Sequence, residues 1–94
     1  MKIIDSHAHI VQYIAGIGSG GELRSIGGGM ARYANGQVVR MIPEQFHTDG
    51  VSPEQLLEIM DENGVEKSVL LQGNFYGFQN YYTWEAVKKY PDRF

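Results

Sequence analysis

The chain of 94 residues contains no cysteine, so it can form no disulfide and offers no thiolate to a metal ion. Any metal that it holds must bind through imidazole nitrogen and oxygen, a ligand set that suits zinc, iron, manganese or nickel better than a structural zinc cage. It also lacks a block of like charges, and its net charge is only −3 at pH 7. This charge balance disfavours nucleic acid or an anionic membrane as the main partner.

Long apolar runs are absent as well. No stretch approaches the roughly 20 residues of a membrane span, and Asp5 and two histidines interrupt the first apolar segment where a signal peptide would continue. We therefore expect a cytoplasmic protein with no membrane partner. Hydrophobic residues make up 43% of the chain and aromatic residues 12%, which predicts a packed core in one small domain and argues against disorder.

The first ten residues, MKIIDSHAHI, place two histidines just after an apolar pair that predicts a short buried strand. Alternate side chains of an extended chain share a face, so His7 and His9 should point the same way. Their Cα atoms should lie about 6.5–7 Å apart. Both imidazoles can then reach one ion, because a metal–nitrogen bond is about 2.0–2.1 Å long. Asp5 lies on the same face and can orient a ligating imidazole through its second nitrogen.

A simpler interpretation of these residues stays open. The two histidines can be solvated side chains near a terminus, with Asp5 as an ordinary strand-end turn residue. The remaining histidine, His47, falls in a predicted connecting loop over residues 43–50. A single loop histidine is more often solvated than a ligand, so His47 is not predicted to bind the metal.

Glycine dominates residues 16–29, which hold seven of them. This stretch predicts a mobile loop beside the histidines, in the place of an active-site lid. Its Gly16-x-Gly18-x-x-Gly21 spacing matches the dinucleotide fingerprint, but that motif requires a helix to open at the third glycine. Only a short segment follows before Gly27-Gly28-Gly29, which would stop a helix. We therefore expect no nucleotide site here.

Turn and cap signals organise the rest of the chain. Asn35-Gly36 predicts a type I′ turn within a β-hairpin over residues 30–42. Ser52-Pro53-Glu54-Gln55 predicts a helix that begins with a capping box and has proline at its first position, and Gly64 is expected to end it. The apolar run 65–71 predicts a strand.

A second helix is predicted from Asn80, as a capping residue, to Tyr90, with Pro91 ending it. The order of elements is then strand, long loop with hairpin, helix, strand and helix, which predicts an α/β fold with a parallel sheet and right-handed crossovers. Residues 1–10 hold the first strand and metal motif, residues 11–50 the loop and hairpin insertion, and residues 51–94 the helix–strand–helix. Two strands and two helices cannot cover a parallel sheet on both faces. We therefore expect the N-terminal part of a larger α/β protein, completed by the same chain, another chain or self-association.

Ile4-Asp5-Ser6-His7-Ala8-His9-Ile10 resembles the first strand of the amidohydrolase superfamily. The segment LLEIMDENGVEKSVLL, residues 56–71, is similar to the first helix and second strand of its amidohydrolase-related branch, which includes aminocarboxymuconate-semialdehyde decarboxylase, resorcylate decarboxylases and lactone hydrolases. The closing Tyr90-Pro91-Asp92-Arg93-Phe94 resembles that branch's run before its third strand. The resemblance covers the two ends and the middle of the chain and leaves out residues 11–50.

This resemblance implies the first β/α units of a TIM-barrel-like, metal-dependent hydrolase, incomplete within this chain and with an inserted β-hairpin. His7 and His9 would be ligands of a divalent metal, most often zinc, while the further ligands and the general-base aspartate would come from later strands. The implied reaction is hydrolysis of a lactone or amide, or non-oxidative decarboxylation of a carboxylic acid. A TIM barrel needs about 250 residues, so this chain would be roughly its first quarter to third. Two imidazoles alone hold a metal weakly and leave no general base, so the isolated chain is expected to be inactive. Gln72, Asn74 and Tyr76, after the second strand, are the candidates for contacting a small-molecule substrate.

Two alternatives remain open at this point. The chain can be a non-catalytic α/β association module, or one chain of a split protein, that acts through a homo-oligomer or a partner. It can also belong to another class of histidine-pair enzymes, such as TatD-like nucleases or PHP-type phosphoesterases.

Overall fold

Two separate sheets and two helices carry the fold in the computed structural model, which describes residues 2–46, 50–73, 76–77 and 79–94. The predicted α/β class is confirmed, and the described ranges contain no barrel. Neither helix is long and apolar enough to cross a membrane within these ranges. The elements in chain order are β1 (Ile3–Ala8), β2 (Ala15–Gly18), β3 (Gly21–Gly27), β4 (Met30–Tyr33), β5 (Val38–Arg40), α1 (Pro53–Glu62), β6 (Val65–Leu70) and α2 (Asn80–Lys89).

Strands β1 and β6 form a two-stranded parallel sheet, in which Ile3 pairs with Val65 and Ala8 with Leu70. Helix α1 leads directly into β6, as the predicted helix–strand unit requires. The expectation that β1 is buried is wrong at its start, because Ile3 is 42% and Ile4 61% exposed. A parallel sheet of only two strands leaves apolar side chains in water, although such sheets are ordinarily covered on both faces.

Strands β2 to β5 form an antiparallel sheet in sequential order. The prediction of a mobile loop over residues 16–29 is therefore wrong, because this stretch supplies β2 and β3. Alternation explains the difference: Leu23 is fully buried while Glu22 and Arg24 on either side are exposed, which is the pattern of a half-buried strand. The glycines at 27, 28 and 29 have φ of 99°, 62° and 79° and form the turn into β4.

The predicted hairpin is present as β4 and β5, with Met30 opposite Arg40. It is one half of the four-stranded sheet and not a separate insertion. Three residues, Ala34 to Gly36, form the loop of the hairpin, because Tyr33 N–H donates to Gln37 O at 2.8 Å and Gly36 N–H to Tyr33 O at 2.9 Å. The Asn35-Gly36 signal marks the turn correctly, and Gly36 has φ of 95°, but the predicted two-residue type I′ turn is wrong.

The hydrophobic core lies against the antiparallel sheet. An antiparallel bridge between Val11 and Val51 closes it, with Val11 N–H donating to Val51 O at 2.9 Å and Val51 N–H to Val11 O at 2.8 Å. The segment after β1 and the start of α1 are thereby joined. The buried members of this core are Val11, Ile14, Leu23, Ala31, Tyr33, Ile42 and Val51.

Both helices lie where the sequence predicts them. At α1 the capping box is confirmed: Ser52 Oγ accepts from Gln55 N–H at 3.1 Å, and Gln55 Oε1 accepts from Ser52 N–H at 2.8 Å. Gly64 follows its C-cap with φ of 69°. At α2 the predicted cap is wrong by one residue, because Gln79 is the N-cap and Asn80 the first helical residue, and Gln79 makes no side-chain cap bond.

Candidate metal centre

The two predicted ligands lie at the carboxyl end of the parallel pair. His7 is the penultimate residue of β1, and His9 is the first residue after the strand. The ladder continues one residue past β6, because Leu71 N–H donates to Ala8 O, in the last residue of β1, at 2.8 Å. Leu71 O in turn lies 2.8 Å from His9 Nδ1. The end of β6 therefore fixes the orientation of the His9 ring.

The two imidazoles converge through their Nε2 atoms, which are 3.1 Å apart. A carbonyl oxygen only accepts, so the bond to Leu71 requires the proton of neutral His9 on Nδ1 and leaves a lone pair on Nε2. That lone pair faces His7. It can accept a hydrogen bond from His7 Nε2–H, or both nitrogens can bind one cation.

The separation of the nitrogens suits a shared ion. Ligands with bonds of about 2.0–2.1 Å on a tetrahedral centre lie about 3.3 Å from each other, and the observed 3.1 Å is close to this value. The rings are nearly perpendicular, with an interplanar angle of 80°. His7 is exposed and His9 is half-buried, so the open side of the pair faces solvent.

The described residues bring only these two candidate ligands together. Among them, no group of three or more histidine, cysteine, aspartate or glutamate side chains can hold an ion. Asp5 Oδ1 accepts from the backbone N–H of His7 at 3.0 Å, and the second nitrogen of His9 is held by Leu71. Asp5 thus stabilises the backbone conformation at His7. His47 lies outside the described residues.

The aromatic side chain of Tyr76 lies beside the histidine pair. The ring of Tyr76 lies 5.7 Å from that of His9, centroid to centroid, at an interplanar angle of 57°. Burial raises the pKa of the Tyr76 phenol, so this hydroxyl stays protonated well above neutral pH. Gln72 and Tyr76 are the two described residues among those predicted to contact substrate, and of these Tyr76 lies beside a histidine.

Gln72, the residue after Leu71, lines a cleft of about 460 Å³. Its Nε2 also donates to Gln79 O at 3.2 Å and to Thr83 Oγ1. Gln72 therefore anchors the start of α2 as well as lining the cleft. Asn74, the third predicted contact, lies outside the described residues. The described lining consists of Ala15, Gly16, Ile17, Gln72, Gly73, Gly77 and Asn80, and does not include the histidines.

Gln79 is a residue of this region that the sequence analysis missed. It is only 3% exposed. Its Oε1 accepts from Gln12 N–H at 2.7 Å, and its Nε2 donates to Tyr13 O at 2.9 Å and Tyr76 O at 2.7 Å. A glutamine before a helix belongs to no periodic pattern, so nothing in the sequence marks it.

Comparison with known proteins adds no further information on the site. No family model, curated protein or solved structure matches the chain.

Proposed function

We propose that this chain carries the first part of the active site of a metal-dependent hydrolase or decarboxylase of the amidohydrolase type. His7 and His9 would be two of the ligands of a divalent metal, for which zinc is the expected ion. The other ligands and the general base would come from the remainder of a barrel, in the same or another chain. By itself the 94-residue chain is expected to bind metal without turning over substrate.

The observation that carries the proposal is the convergence of the two imidazoles, with Nε2 atoms 3.1 Å apart and the second nitrogen of His9 on Leu71 O. A backbone carbonyl on the outer nitrogen is the common way in which proteins fix the tautomer of a ligating histidine. The pair also stands at the carboxyl end of parallel strands, the end at which α/β barrels hold their active sites.

The bound metal would lower the pKa of a water molecule and polarise a substrate oxygen. This chain's own contribution is to hold the two Nε2 atoms close together, because β1 puts both histidines on one face and Leu71 O fixes the His9 ring. Tyr76 offers a protonated phenol beside His9, suited to donating a hydrogen bond to a bound oxygen atom. Lactone or amide hydrolysis and decarboxylation both remain within this chemistry.

A non-catalytic association module is the second candidate. It is favoured by the apolar side chains that the parallel pair leaves in water, among them Ile4 at 61% and Val69 at 47% exposure. Sedimentation analysis separates the candidates: a defined oligomer that forms without metal and is lost in Ile4→Lys supports the module, and a metal-free monomer counts against it.

Calorimetric titration of the full chain with zinc tests the enzyme proposal. We expect one zinc per chain, with the affinity falling at least about tenfold when either histidine is removed, because each supplies a direct ligand. The variants are His7→Ala and His9→Ala, and His47→Ala is the matched control because it also removes one imidazole. Equal zinc binding by all three variants would refute the proposal.

A further inference from the structure

We infer that Gln79 is a positioning residue for the metal centre, which holds His9 and Tyr76 in register through its buried amide. This inference rests on the proposed function, in that the centre is taken to be a metal site. Gln79 contacts neither imidazole in the described structure and would act through the backbone segments that flank them.

One side chain joins the two chain segments that meet at His9. The segment that leaves His9 contributes Gln12 N–H and Tyr13 O, and the loop after β6 contributes Tyr76 O. All three bonds are between 2.7 and 2.9 Å long. The Tyr76 ring lies against His9, so the amide fixes the backbone on both sides of this contact.

The chemistry of these bonds requires an amide. Two of the partners are carbonyls and one is an N–H, so the side chain must donate twice and accept once, as glutamine does. A glutamate at this position accepts only and would face two carbonyl oxygens. A methionine has a similar length but removes the side-chain partner of Gln12 N–H and Tyr13 O and leaves Tyr76 O with only the longer bond from Ala15 N–H, and buried polar groups without partners are costly.

Few other bonds can replace this connection. Between the two segments the structure also gives Ala15 N–H to Tyr76 O at 3.3 Å, a longer bond to a carbonyl that Gln79 already shares. The His9 bond to Leu71 joins the ring to β6 but does not fix Tyr76. The Tyr76 ring also packs against the hydrophobic core, and the shortest hydrogen bonds between its backbone and the segment after His9 run through Gln79.

The test compares Gln79→Met with Ser52→Ala in the full chain. Ser52→Ala removes the α1 cap and serves as the control for a general loss of stability. Proton NMR of the metal-free chain reports the contact between the Tyr76 and His9 rings through nuclear Overhauser effects, and zinc titration reports the affinity. We expect Gln79→Met to weaken the Overhauser effects between the two rings and to weaken zinc binding about tenfold, while Ser52→Ala changes neither.

Gln79→Asn keeps the amide but shortens the side chain, so it serves as the milder variant if Gln79→Met does not fold. It should weaken the same Overhauser effects to a smaller extent. Tyr76–His9 Overhauser effects that match the unaltered chain in the folded Gln79 variants would overturn the inference. If the unaltered chain binds no zinc, the proposed function fails, and the NMR comparison still decides whether Gln79 holds His9.

Discussion

Arg93 Nη2 donates to Asp61 Oδ1 at 2.7 Å, and this bond ties the C-terminal segment to the end of α1. The same guanidinium reaches β6, with Nε donating to Glu66 O at 2.8 Å and Nη2 to Val65 O at 3.2 Å. Arg93 O accepts from Ser68 N–H at 2.8 Å. Arg93 therefore occupies the edge of β6 that β1 leaves free.

Removing this guanidinium should lower the free energy of unfolding more than removing its carboxylate partner does. We expect Arg93→Ala to lower the free energy of unfolding by about 1–2 kcal/mol, since two backbone carbonyls lose a charged donor. Asp61→Asn should cost less than about 1 kcal/mol, because Asp61 is largely exposed and surface ion pairs contribute little. Urea denaturation measures both. Equal losses would show that the ion pair, and not the strand edge, is the stabilising contact.

Zinc should stabilise the chain against heat. A ligand that binds only the folded state at a hundredfold excess over its Kd adds about 2.7 kcal/mol, so Tm should rise with zinc and fall again with a chelator. The rise should be lost in His9→Ala, while the zinc-free Tm of that variant stays close to that of the unaltered chain. A rise of the same size in His9→Ala would mean that zinc binds elsewhere.

Glu54 should control the alkaline titration of two tyrosines. The pKa of Tyr90 is raised mainly by its hydrogen bond to Glu54, and the pKa of Tyr82 by burial and then by the charges of Glu54 and Glu85. Glu54→Gln should therefore lower the pKa values of both tyrosines, so that tyrosinate absorbance begins at a lower pH. Glu58→Gln, on the same helix, is the control and should leave the absorbance curve unchanged.

The sign of the linked stability follows from these shifts. Both tyrosines have folded-state pKa values above the unfolded value of about 10, so their stabilising contribution is complete below that pH and is lost as pH rises through the folded values. Glu54→Gln should reduce this loss. An unchanged alkaline unfolding profile, together with unchanged absorbance, would contradict the assignment.

The core under the antiparallel sheet should depend on Leu23, which has no exposed surface. We expect Leu23→Ala to cost about 2–5 kcal/mol, the usual range for a fully buried leucine. Ile26→Ala on the same strand is the matched control, because Ile26 is 45% exposed and should cost about 0.5 kcal/mol or less. Thermal unfolding followed by circular dichroism measures both. Similar losses would place the core elsewhere.

Local signals predicted the elements whose structure depends on a few neighbouring residues. Ser52 and Gln55 form their capping box because both partners lie within one helical turn. Asn35-Gly36 marks the turn between β4 and β5, because Gly36 supplies the positive φ that the turn requires. His7 and His9 converge because strand alternation alone puts them on one face.

Other features depend on residues far apart in the chain and escaped prediction. Leu23 marks β3 as a strand only once a core exists to bury it, and the glycines around it suggested a loop. Leu71 meets His9 through the pairing of β6 with β1. The three backbone groups that bind Gln79 come together only after both segments are folded. Ile4, read as buried, is exposed because burial depends on a covering layer that the described residues do not supply.

The connection between β1 and β6 has a consequence for the order of folding. His9 and Leu71 lie 62 positions apart, and the antiparallel sheet and α1 form between them through much shorter connections. Closing a long loop costs more entropy than closing short ones, and distant contacts slow folding. We expect the four-stranded sheet and α1 to form first and β1 to dock last, so the imidazole pair is assembled only in the final step. A fluctuation that releases β1 would then undo the pair while leaving most of the core intact.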